Sequence, residues 1–186
     1  MRYSPEQKLA TRQRLIESGA ALAKKEGFSN TGMDALMASA GLTTGAFYSQ
    51  FRSKHELLHA IVEHELKRTL ALFTDTSDDG LYKALAAYLS PYHAEHPEKG
   101  CPIPALGPEI GRADIGTRET FEALLVKLQA SFRDTLGSDD AAWALICQAV
   151  GGVLVARAMA TPERRSEVLA SVLAHASDTL LSRQVL

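Results

Sequence analysis

Apolar residues recur along this chain at the three- and four-residue spacing of helices, and no stretch alternates as a strand would. Ser4-Pro5 reads as a cap and a first-turn proline. Behind it, Leu15, Ile16, Gly19, Ala20, Leu22 and Ala23 make the inward side of a helix that runs to about Glu26 and ends at Gly27. A polar link at Ser29–Gly32 leads to a second helix, MDALMASA, with Leu36 and Met37 inward and Gly41 as its breaker. Thr43 or Thr44 caps a third, GAFYSQF, in which Phe47 and Phe51 stand four apart on one face. Ser53 caps a long fourth helix, with Glu56 at the third position of a capping box. After a polar break at 74–80, helices are predicted over roughly 81–94, 104–113, 117–136, 139–160 and 163–182, with Pro91 kinking or restarting the first. The run from His96 to Pro108 holds four prolines and two glycines and is the least regular part. The predicted fold class is all-α, with about nine helices in an N-terminal domain over 1–53 and a C-terminal domain over 54–186.

Charge changes this picture modestly. The net charge is −2, but residues 1–56 carry eight Lys or Arg against five acids, which leaves a basic head on an acidic body. That asymmetry suits a polyanionic partner. At 186 residues the chain can bury a core without staples. Cys101 and Cys147 form no CxxC, so neither a disulfide framework nor a structural zinc pattern is present. His93 with His96, and His55 with His59, read as solvated polar residues, and no metal is expected. No GxSxG, HExxH, SxxK or P-loop occurs, and the GGVLVA run lacks GxGxxG. No enzyme and no cofactor are expected. No stretch reads as a membrane span and the N-terminus lacks a secretory apolar run, so a cytoplasmic protein is expected.

Two short helices joined by a glycine-containing turn form a DNA-binding arrangement in general outline. The first braces across the backbone. The second enters the major groove, with Leu42, Phe47 and Phe51 inward and Thr43, Thr44, Ser49 and Gln50 outward. Gly45 and Ala46 are small enough for close approach, and Lys54 at the start of the next helix suits a phosphate.

The run EGFSNTGMDALMASAGLTTGAFYSQFRSKHELL resembles the signature of TetR-family regulators. It matches at Glu26-Gly27-Phe28, Ala40-Gly41-Leu42, Gly45, Phe47-Tyr48, Phe51 and Ser53-Lys54. The resemblance implies base contacts from Thr43, Thr44 and Gly45, and phosphate contacts from Thr31, Tyr48, Ser49 and Lys54. Gly32 stands where the family often has Ser or Thr, which leaves only an amide there. Thr44 replaces a frequent basic residue or His. The implied function is a homodimeric transcriptional regulator, a repressor in type, released from a palindromic double-stranded DNA operator by a small-molecule or electrophile effector. A helical interaction module without DNA binding is the alternative.

In the second half, YLSPYHAEHPEKGCPIPALGPEIGRAD resembles a subgroup of the family with a GCP loop. Cys101 precedes a helix beginning near Pro104 and is either a thiol of depressed pKa that senses electrophiles or an apolar plug in a tight loop. Candidate ligand-lining residues are Cys101, Tyr88, Tyr92, Ile103, Phe121 and Trp143. Residues 141–159 are apolar around most of the helix, which requires burial on more than one side. With a stripe on the last helix they predict a dimer interface at Val150, Gly151, Leu154, Leu169, Val172 and Leu173, with an intrachain core as the alternative.

Overall fold

The computed structural model describes residues 4–73 and 77–181. Arg2 of the basic head and residues 74–76 of the expected polar break lie outside that set. Among the described residues there are ten α-helices and no strand: α1 (Pro5–Glu26), α2 (Met33–Ser39), α3 (Thr44–Phe47), α4 (Lys54–Ala71), α5 (Asp78–Tyr88), α6 (Pro91–Glu95), α7 (Ile103–Gly111), α8 (Ile115–Leu136), α9 (Asp139–Ala158) and α10 (Pro162–Leu181). A 3-10 turn at Pro97–Lys99 joins α6 to the α7 approach.

Local chemistry sets most of these boundaries. Ser4 and Gln7 cap α1 reciprocally, the Ser4 hydroxyl accepting from the Gln7 N–H while the Gln7 side chain accepts from the Ser4 N–H. Ser53, Ser77, Ser90 and Ser138 each accept from an amide in the first turn of α4, α5, α6 and α9. Gly27 and Gly137 end α1 and α8 at positive φ, where a side chain would be strained. The expected helix over 81–94 is two helices. Leu89 leaves helical geometry, and Ser90 with Pro91 caps and starts α6 afresh. This raises the count from about nine to ten. The third helix is also shorter than expected, since residues 48–50 form tightened turns bonded back to Ala46 and Phe47.

The core has two parts. One gathers Leu15, Ala20, Leu36, Phe47, Phe51, Leu57 and Ile61 and reaches into the body at Leu106, Ile110 and Leu124. The other joins Phe73, Leu85, Leu128, Phe132, Leu145, Val153 and Leu169. Helix α4 serves the first with Leu57 to Leu66, and its continuation supplies Phe73 to the second. Helix α9 is, contrary to expectation, long and apolar enough by composition to cross a membrane. In this fold its apolar length has another use. Ala142, Leu145, Ile146, Ala149, Val153 and Ala156 face the core, while Trp143, Leu154 and Val155 remain exposed.

Candidate functional site

The head is held rigidly from within. Phe47 and Phe51 are buried and stacked at 5.9 Å, and Arg12 lies over the Phe51 ring and donates to the Gln50 carbonyl. These contacts fix α3 so that Thr43, Thr44 and Gly45 face solvent together at its start. A Cβ at Gly45 would meet nothing within the chain, so the small residue is not needed for packing. The Thr44 hydroxyl donates to Asp34 at 2.6 Å, which pins it to α2. Tyr48 is 71% exposed and stands edge-on to Phe47. Ser49 is exposed, with its hydroxyl bonded to the Ala46 carbonyl.

Two of the expected phosphate contacts are placed differently. Thr31 is buried, its hydroxyl turned back on the Gly27 carbonyl at 2.6 Å, so no side-chain donor faces outward there. The Lys54 ammonium donates to the Thr31 carbonyl at 2.7 Å and sits over the Phe28 ring, stapling the α1–α2 link to α4. Gly32 caps α2 without a side chain and is exposed, so the amides of the first turn that follow it receive no side-chain cap.

The body contains a cleft of about 620 Å³ between α4, α5, α6 and the Pro97–Cys101 segment. Tyr88, Tyr92 and Cys101, three of the six candidates, are among its lining residues. Ile103 lies behind it, on a small inner pocket that shares Tyr88 and Cys101. Phe121 and Trp143 belong to a separate surface cleft of about 520 Å³ between α7, α8 and α9. The six candidates are therefore not one site.

A polar frame shapes the first cleft. His93 is buried, and its Nδ1–H donates to the Tyr88 carbonyl at 2.6 Å while Nε2 accepts from the Cys101 N–H at 2.9 Å. The carbonyl can only accept and the amide can only donate, so one neutral tautomer is fixed. Burial lowers the His93 pKa accordingly, with the Arg157 and Lys24 charges adding to the effect. Gly100 is required by close approach, since a Cβ there would collide with His93 Nε2. Cys101 is buried, and that burial raises its pKa despite the nearby Ile103 amide. Of the two alternatives for Cys101, this favours the apolar plug over the depressed thiol, because desolvation outweighs the helix start. The Tyr88 hydroxyl is buried beside the Cys101 thiol, and its pKa is well raised, first by desolvation and then by its interaction with that thiol.

Two contacts link body and head that no local pattern announces. Lys24 of α1 and Glu65 of α4 form a buried pair at 2.6 Å, and Arg68 shares the same carboxylate at 3.0 Å. Lys24 also donates to the Gly100 carbonyl at 2.9 Å, and burial lowers its pKa against the pull of Glu65. Glu109 of α7 accepts from the backbone of Phe28 and Ser29.

The last helices also depart from expectation. Leu169 is 1% exposed and packed within the chain, as are Ala176 and Leu180. Val172 lies against Gly152, and Leu173 is partly buried on the same core. The α10 stripe thus faces inward, leaving Leu169 no surface for a second chain. Val150 and Gly151 are half-buried and Leu154 is 52% exposed, on the same side of α9 as Trp143 and Cys147.

Residues 15–61 match the family described as bacterial regulatory proteins, tetR family. An HTH-type transcriptional regulator in the lacX 3′ region of Lactococcus lactis subsp. lactis is 24% identical over 161 residues, covering 78% of this chain and 82% of that protein. The reduced form of E. coli NemR shares the fold at a TM-score of 0.77, with 22% identity over 91% of this chain and 97% of that one. A TetR transcriptional regulator from Chloroflexus aurantiacus J-10-FL superposes at 0.74, with 22% identity over 91% and 96% of the two chains. PfmR, a TetR-family regulator from Thermus thermophilus, does so at 0.66, with 22% identity over 90% and 97%.

Proposed function

We propose that this chain is a TetR-family transcriptional regulator, not an enzyme, which represses transcription as a homodimer released from DNA by a small molecule; the tetR-family match at residues 15–61 and the fold shared with TetR transcriptional regulators support this reading. The observation that carries this reading is the start of α3. Thr43, Thr44 and Gly45 stand exposed on a helix whose other face is locked by Phe47 and Phe51. That helix suits the major groove, with Tyr48, Ser49 and the amides after Gly32 at flanking phosphates. Thr31 and Lys54 then act as supports, holding the link that aims α2. Working on DNA, the protein resides in the cytoplasm.

The domain boundary is placed at Ser53, ahead of α4, which carries the signal. The effector site is the cleft under Tyr88, Tyr92 and Cys101. Its apolar walls favour a bound small molecule, and the high pKa of the buried Cys101 thiol favours the plug role over electrophile capture. The Gly100-Cys101-Pro102 loop, built into the cleft wall, supports placing the chain in the GCP-loop subgroup. Dimerisation uses the exposed side of α9, with Trp143, Cys147, Gly151 and Leu154 at its centre.

Fluorescence anisotropy with the DNA upstream of the neighbouring gene tests the reading. The expected result is binding to a palindrome by a dimer, weakening steeply with salt as phosphate contacts are screened. A folded protein that binds no such DNA would establish the helical interaction module instead.

A further inference from the structure

We propose that Asp34 fixes the Thr44 hydroxyl as a hydrogen-bond acceptor, so that Thr44 selects a base carrying an exocyclic amine in the major groove. The inference rests on reading α3 as the helix that enters that groove, and it adds a positioning residue from α2. Asp34 lies in the first turn of α2, and Thr44 is the first residue of α3, ten positions later. Both are exposed. The two helices are locked together beneath them. Across the turn the Leu42 N–H donates to the Met37 carbonyl at 2.9 Å, and Leu36, Met37 and Phe47 are buried.

The Thr44 hydroxyl meets the Asp34 carboxylate at 2.6 Å, the length of a charge-assisted O–H···O⁻ bond. An ionised carboxylate only accepts, so the single hydroxyl proton points to Asp34. A threonine with a free hydroxyl reads either kind of base edge, donating to a keto oxygen or accepting from an amine. With its proton held, Thr44 has lone pairs and a methyl group left to offer. Adenine N6 and cytosine N4 supply a proton to such an acceptor. Guanine O6 and thymine O4 set a second acceptor against it. The Asp34 charge also faces a polyanion, but repulsion by phosphates is the same for every sequence. The signature of the role is therefore a base preference and not an overall affinity.

The test starts from a pool of duplexes with a randomised central segment, selected with the full-length protein. The base pair at which Thr44→Val loses its preference marks the contact. Both Thr44→Val and Asp34→Ala alter exposed side chains, so the fold is retained. Two altered duplexes then probe that pair by fluorescence anisotropy. Removing the exocyclic amine from the favoured base (purine for adenine, 2-pyrimidinone for cytosine) should weaken wild-type binding about fivefold and Thr44→Val binding by less than about twofold. The transition at that pair puts a keto oxygen in place of the amine. It should cost the wild type at least as much, but Asp34→Ala less than about twofold, because the released hydroxyl can turn and donate. Preferences at other positions should not change, and in the Thr44→Val background Asp34→Ala should leave the profile as it is. Wild-type indifference to the missing amine overturns the proposal. So does a transition penalty that Asp34→Ala retains, or a profile that Thr44→Val alters nowhere. A profile that Asp34→Ala still changes without the Thr44 hydroxyl gives the carboxylate a contact of its own and overturns it too. These failures leave DNA binding standing. Selection of no duplex by the folded protein removes the groove reading itself, and this inference with it.

Discussion

The carboxylate of Glu109 holds the backbone N–H of Ser29 at 2.6 Å, and the neighbouring Phe28 N–H bonds the same group at 3.0 Å. A helix of the body thus fixes the chain just ahead of α2. Charged acceptors on backbone amides are among the stronger hydrogen bonds, so Glu109→Ala is expected to lower stability by about 1–2 kcal/mol. The change should be local, with amide hydrogen exchange quickening at Phe28 and Ser29. Denaturant titration and exchange together check it, and unchanged protection at both amides would remove Glu109 from this role.

Gly100→Ala should destabilise the fold by about 2 kcal/mol, because the new methyl enters the space of a ring pinned at both nitrogens. The loop does not need glycine for its backbone angles, which are extended. A thermal melt of the variant, with His93→Ala added to open the space, separates the effects. The second change should recover part of the loss if collision is the cause.

Stability should fall in mild acid through His93. Its folded pKa lies below the ordinary imidazole value of about 6.5, so the unfolded chain binds a proton there before the native one does. The stabilising effect is complete above that value and declines as pH drops through the window down to the folded pKa. Protonation would set an N–H against the Cys101 amide, beside the Arg157 and Lys24 charges. Melting curves across this range, paired with an NMR titration of the ring, test the assignment. An imidazole titrating at or above the free-histidine value would contradict it.

Gly45→Ala separates folding from DNA recognition. The position is helical, exposed and unobstructed, so alanine should stabilise the protein by about 0.5 kcal/mol. If this residue meets the groove, operator affinity should nevertheless fall about tenfold. Equal affinity in an anisotropy titration would move Gly45 out of the interface.

Sequence legibility follows range. The caps at Ser4 and Ser53 and the restart at Pro91 are readable because each signal lies within one helical turn. The inward turn of Thr31 was open to the same reading, as its hydroxyl reaches a carbonyl four residues back. Lys24 and Glu65 are 41 residues apart, and Ser29 and Glu109 are 80 apart. No local spacing marks such partners. The α10 stripe shows a different limit. Periodicity reveals that Leu169 must be buried, but not whether its own chain or a second copy does the burying. The cleft residues divide for a related reason. Tyr88 and Trp143 are equally plausible as lining, and only the packing of α8 against α9 assigns Trp143 elsewhere.

Helix α4 reaches both parts of the core, and this limits how the molecule can be cut and recombined. A head excised at Ser53 would lose Leu57, Ile61, Leu106 and Ile110 from around Leu15 and Phe47 and expose an apolar wound. Grafting this reader onto another sensor therefore requires carrying α4 and the facing surface of α7 along with it. The portable unit is larger than the part that touches DNA.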